Sequence, residues 1–88
     1  MFLQIKGSDF KVVNLDLVSD IGITTELLGG SCQIWFSSPH RSVNMCFGDK
    51  VDCNLALDYI LHQILVSGNK RVLILEYDDI LEYIKNNK

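Results

Sequence analysis

The sequence has no Cys-x-x-Cys or His-x-x-x-His pair, no cluster of basic residues beyond Lys70-Arg71, no long apolar run and a single proline, Pro39. Each absence removes a class of function. Cys32, His40, Cys46, Cys53 and His62 lack the short spacings that put two metal ligands on one turn. Eight Lys and Arg against eleven Asp and Glu leave a net charge of −3, too little positive charge for the phosphate neutralisation behind most nucleic-acid binding. The same shortage argues against adsorption to anionic membranes. The longest apolar runs, such as Val72 to Leu75, fall far short of the roughly 18 residues of a spanning helix. Met1 to Gly7 has neither a basic leader nor a sustained apolar stretch, so no signal peptide is expected. Three cysteines are an odd number without a disulfide framework, which predicts reduced thiols and a cytoplasmic location.

What remains is apolar. Hydrophobic residues make up 48% of 88 residues and the mean hydropathy is +0.17. A chain of this size forms one domain, here residues 1–88, and buries only about 60–65% of the surface its unfolded form exposes. Some apolar surface is therefore expected to stay open or to be covered by another chain.

Phe2 to Lys6 and Phe10 to Asn14 are β-prone and separated by Gly7-Ser8-Asp9, a trio suited to a tight turn. Asn14-Leu15-Asp16-Leu17 changes direction. Val18 to Thr25 alternates as another strand until Leu27-Leu28-Gly29-Gly30 breaks it. Ser31 to Phe47 is the clearest hairpin. With a loop at 37–40, Phe36 faces Arg41, Ile34 faces Val43 and Cys32 faces Met45, which gathers Cys32, Ile34, Phe36, Val43 and Met45 on one face. The other face holds Ser31, Gln33, Ser42, Asn44 and Cys46, polar apart from Trp35.

Asp52 is a candidate N-cap for a helix over about 53–67, with Gly68 just past its end. Its main apolar stripe is Cys53, Leu57, Ile60, Leu61 and Ile64; Leu55, Tyr59 and Val66 form a second, narrower one roughly opposite. Val72 to Leu75 is expected as a short buried strand, followed by a helix over about 78–86 that turns Tyr77, Ile80, Leu81 and Ile84 inward. A continuous helix from Arg71 also keeps helical spacing. The expected fold class is α+β: a mainly antiparallel sheet of about four to five strands covered by the long amphipathic helix and the shorter C-terminal one.

No residue set points to catalysis, a metal or a cofactor. Leu28-Gly29-Gly30-Ser31 lacks the lysine and the following helix of a phosphate loop. Glu76, Asp78, Asp79 and Glu82 lack the spacing and glycine of a calcium loop, and acidic residues at a helix start are explained by its dipole. The leading expectation is a non-enzymatic protein-interaction or regulatory module that self-associates as a homodimer, with Trp35, Leu55, Tyr59 and Val66 as partner-binding candidates. A small enzyme or small-ligand binder using the hairpin rim around Cys46 and His40 is the alternative. The second alternative is a dimeric nucleic-acid-associated regulator drawing on Lys70, Arg71, Lys85 and Lys88.

Overall fold

A computed structural model describes residues 1–7, 11–25 and 31–88. The strands are β1 (Phe2–Lys6), β2 (Lys11–Asn14), β3 (Asp20–Thr24), β4 (Cys32–Ser37), β5 (Ser42–Phe47) and β6 (Val72–Glu76). The helices are α1 (Lys50–Val66) between β5 and β6, and α2 (Tyr77–Asn87) after β6. The chain is α+β, as expected. The single sheet of four to five strands is corrected to two three-stranded sheets, ordered β2-β1-β6 and β3-β4-β5. The Ser8-Asp9 part of the first turn and the Leu27 to Gly30 segment lie outside the described residues.

Sequence neighbours pair as antiparallel hairpins, β1 with β2 and β4 with both β3 and β5. Only β6 lies parallel to its neighbour, β1. A parallel pair needs a crossover connection, and α1 lies within the one that returns the chain from β5 to the edge of the first sheet. Between β2 and β3, the Asn14 side chain accepts the Asp16 backbone N–H at 3.1 Å and starts a 3₁₀ turn over Leu15–Leu17.

The β4–β5 register differs from expectation by two residues: Phe36 faces Val43, Ile34 faces Met45 and Cys32 faces Phe47. The loop is Ser38 to Arg41, closed by the Ser38 backbone N–H on the Arg41 carbonyl at 2.9 Å and by Ser38 Oγ on the same carbonyl at 2.8 Å. A shift of two preserves side-chain parity, so the expected apolar face survives and gains Phe47.

That face joins Leu3, Ile5, Val13, Leu73 and Leu75 of the first sheet in one buried cluster, covered by Cys53, Ala56 and Ile60 of α1 and Ile80 and Ile84 of α2. Helix α1 packs on β4 and β5, α2 packs on β6, and the two helices pack on each other. The inward face of α1 is centred on 53, 56 and 60, with Leu57 and Ile64 of the expected stripe partly buried beside it and Leu61 outside it. Leu61 is 42% exposed, and on α2 the expected inward Leu81 is also exposed. Apolar residues nearly encircle α1, so periodicity alone does not select the face; small Ala56 marks where the helix comes closest.

Helix α1 begins three residues before the expected start. Its N-cap is Asp49, whose Oδ1 accepts the Asp52 backbone N–H at 2.9 Å, while Asp52 Oδ2 accepts the Asp49 N–H at 3.4 Å. Asp52 is therefore the reciprocal partner in a capping box and not the cap. It also meets Lys88 Nζ at 2.7 Å, tying the end of α2 to the start of α1. The other end of α1 closes as expected, with Gly68 at φ 65°, a conformation that disfavours side chains.

Replacing buried Ile60 by Ala should cost about 2–5 kcal/mol, whereas Leu61→Ala should cost less than about 1 kcal/mol. Urea titrations of the two variants measure this, and equal losses would restore the Leu57–Leu61 face. The Asp52 backbone hydrogen bond holds the Asp49 carboxyl below its ordinary value. A depressed folded pKa contributes stability above the ordinary aspartate range and loses it as pH falls through the folded value. Thermal melts from pH 7 to about 2.5 should show Asp49→Ala destabilised at neutral pH, and Asp49→Asn stable there with less loss in acid than the wild type.

Candidate interaction surface

Trp35 lies on the sheet face turned away from the helices, opposite Gly22 on β3 and Asn44 on β5. Its indole lies across Gly22, where any Cβ would overlap the ring, and its Nε1–H donates to Thr24 Oγ1 at 3.0 Å. The ring is half-buried, neither core nor a free anchor. Glycine is an entropic weakness in a strand, and here the aromatic covers the backbone that it leaves bare.

Of the other partner-binding candidates, Leu55 and Tyr59 are half-buried against the core, and the Tyr59 ring meets Tyr83 of α2 with centroids 5.3 Å apart. Burial, and then the nearby Asp79 carboxylate, push the Tyr59 hydroxyl up from its ordinary value. Of the second stripe of α1, Tyr59 is thus met by α2 of the same chain and Leu55 packs partly buried against the core. Val66 remains exposed near the end of the helix.

Open apolar surface lies elsewhere. In β6, Leu73 and Leu75 enter the core while Val72 and Ile74, 42% and 51% exposed, point outward. Phe2, 45% exposed, neighbours Val72 in register on β1. The Phe2 N–H donates to the Arg71 carbonyl at 2.8 Å, which fixes the alternation along this edge. Arg71, Leu73 and Leu75 direct their backbone groups to β1, leaving those of Val72 and Ile74 directed off the sheet. The expected short buried strand over Val72 to Leu75 is buried on one face only, a two-residue period that the uninterrupted apolar run conceals.

The hairpin-rim constellation separates. His40 sits in the β4–β5 loop, while Cys46 lies near the far end of β5, four residues past Ser42 or roughly 13 Å along an extended strand. Cys46 is exposed, receives Gln33 Nε2 at 3.6 Å on its sulfur, and its carbonyl accepts the Tyr77 hydroxyl at 3.2 Å. A cleft of about 430 Å³ does flank it, lined also by Ile5, Lys11, Asn44 and Met45. Cys32 and Cys53 are buried, and burial, reinforced by the neighbouring Cys32 thiol, pushes Cys53 up to about 12. Among the described residues no three His, Cys, Asp or Glu side chains group as metal ligands, and no helix is long and apolar enough to cross a membrane. Asp78 and Asp79 occupy the first turn of α2, where the helix dipole favours them.

Comparison with family models, curated proteins and solved structures finds no match for this chain. Thiol accessibility gives a direct check on the placement of the three cysteines. Native protein should react rapidly with a disulfide reagent at Cys46 only, with Cys32 and Cys53 reacting after unfolding. Peptide mapping that finds Cys53 labelled as fast as Cys46 would contradict the arrangement.

Proposed function

We propose that the protein is a non-enzymatic interaction module of the cytoplasm that self-associates through the free edge of β6. The observation that carries this reading is the pairing of backbone unladdered among the described residues with outward apolar side chains on one terminal strand, Val72 and Ile74 beside Phe2. An exposed apolar edge is normally shortened, charged or covered, because it is a template for another strand. The free, neighbouring thiols of Cys32 and Cys53 fit a reducing compartment.

The occupant best matched to this edge is a second copy. Antiparallel pairing about a twofold axis at Leu73 sets Val72 opposite Ile74 of the other copy, both with edge-directed backbone groups. Pairing about Ile74 instead sets Val72 against Glu76, a poorer match.

Light scattering on size-exclusion fractions at micromolar concentration should report a dimer. Ile74→Lys, at an exposed position, should return a folded monomer that melts cooperatively and lower only by the stabilisation that association supplied, whereas Leu65→Lys on α1 should leave the dimer intact. A wild-type monomer would overturn self-association, and a dimer that survives Ile74→Lys would overturn the β6 edge as its site.

A further inference from the structure

The two sheets meet along β2 and β5, which approach each other without forming a ladder. Lys11 shares a cleft with Cys46, and Asn14 shares another with Arg41, so the two strands run in opposite directions across the gap. The second cleft is a cavity of about 540 Å³ between β2, the 3₁₀ turn and the β4–β5 loop. That volume falls within the range of small-molecule sites.

Its chemistry is divided. Val13, Phe36 and Val43, otherwise buried core residues, line its interior, and Leu17 and Val18 form a wall. Arg41 and His40 stand among the exposed lining residues, and among the described residues no Asp or Glu lines the cavity. In a chain with net charge −3, this is a local excess of positive charge. Among the described residues no carboxylate forms an ion pair with Arg41. The nearby Asn14 and Ser38 side chains already bond backbone groups, which leaves the Arg41 guanidinium and the His40 imidazole as the polar side chains of the described lining without a recorded bond.

The backbone adds donors. Ser38 bonds Arg41 across the hairpin, and Leu15 donates to the Met1 carbonyl at 2.9 Å. By alternation, Ser42 on β5 and Val12 and Asn14 on β2 direct their backbone groups into the gap. An apolar slot with backbone N–H groups and an unpaired arginine at its mouth is complementary to an apolar body carrying one carboxylate.

We infer that this cavity binds a small apolar carboxylate, of medium-chain aliphatic or aromatic type, with its body against Val13, Phe36 and Val43 and its anionic group on Arg41. The cavity and the β6 edge lie on opposite sides of β1, although Phe2 both lines the cavity and neighbours Val72. The cavity does not depend on self-association.

Amide-resolved NMR titration of the full chain with octanoate tests the assignment, with octanol as the neutral counterpart. Octanoate should shift resonances of Val13, Val43 and Arg41 and bind about five- to tenfold more tightly than octanol, as one charge-assisted contact at a partly exposed site allows. Arg41→Gln should remove that preference while leaving the melting temperature and octanol binding unchanged. Absence of shifts at these residues, equal affinity for octanoate and octanol, or a preference that survives Arg41→Gln would each overturn the inference. A blocked peptide with a free apolar C-terminus that binds more tightly than octanoate would also overturn it, in favour of a peptide carboxylate.

Discussion

Two three-stranded sheets share one core because the helices covering them pack on each other. Helix α1 covers β4 and β5, α2 covers β6, and the seam between them includes the Tyr59–Tyr83 contact and the Lys88–Asp52 ion pair. The apolar surface of each half-sheet would be poorly shielded by one helix alone. Joined at the seam, the pair buries sixteen apolar residues with no buried polar or charged residue among those described. The ion pair is partly exposed and adds little. The close-packed faces do most of the holding.

The same arrangement explains where surface is left over. A second apolar stripe on α1 would suit a partner if α1 were the outermost layer, but Leu55 and Tyr59 pack partly buried against the core and Tyr59 meets Tyr83 of α2. Exposed apolar side chains remain at Val51, Leu61, Leu65 and Val66 of α1 and on the side of the sheets that no helix covers, where the two sheets behave differently. On the second sheet Trp35 lies over Gly22 with its N–H bonded to Thr24, so the aromatic is largely satisfied within its own sheet. On the first sheet Phe2, Val72 and Ile74 have no such cover from the described residues. The split between β2 and β5 opens the other irregularity, a passage from solvent to core-face residues with Arg41 and His40 among its lining.

Legibility varied with the range of the interaction concerned. The Asn14 turn, the β4–β5 hairpin, the β6 strand followed by α2, and Gly68 past the end of α1 were readable because caps, turns and period-two alternation are local. The hairpin register was misplaced by two, an error that parity makes harmless for the buried face. The N-cap was assigned to Asp52 rather than Asp49 because both aspartates suit the role, and only the geometry at Gly48 and Asp49 distinguishes them. Leu61 and Leu81 were expected inward because large apolar side chains dominate a helical stripe, whereas close approach here favours Ala56 and the isoleucines. Of the surfaces proposed for function, Trp35 was placed on the correct face, while Val72, Ile74 and the Arg41 cavity were not recognised as surface features.

The amino-acid sequence determined an α+β chain rich in apolar residues, its hairpins and helices, and the lack of ligand spacing or a basic cluster. Those properties are set within a few residues of chain, by turn chemistry, side-chain period and charge count. Tertiary structure decided the rest: the parallel return of β6 to β1, the division of the strands into two sheets, and the separation of His40 from Cys46. Each depends on which apolar face meets which after α1 crosses between the sheets. Burial is non-directional, so the residues that can be buried are visible along the chain, but the partner that buries them is not.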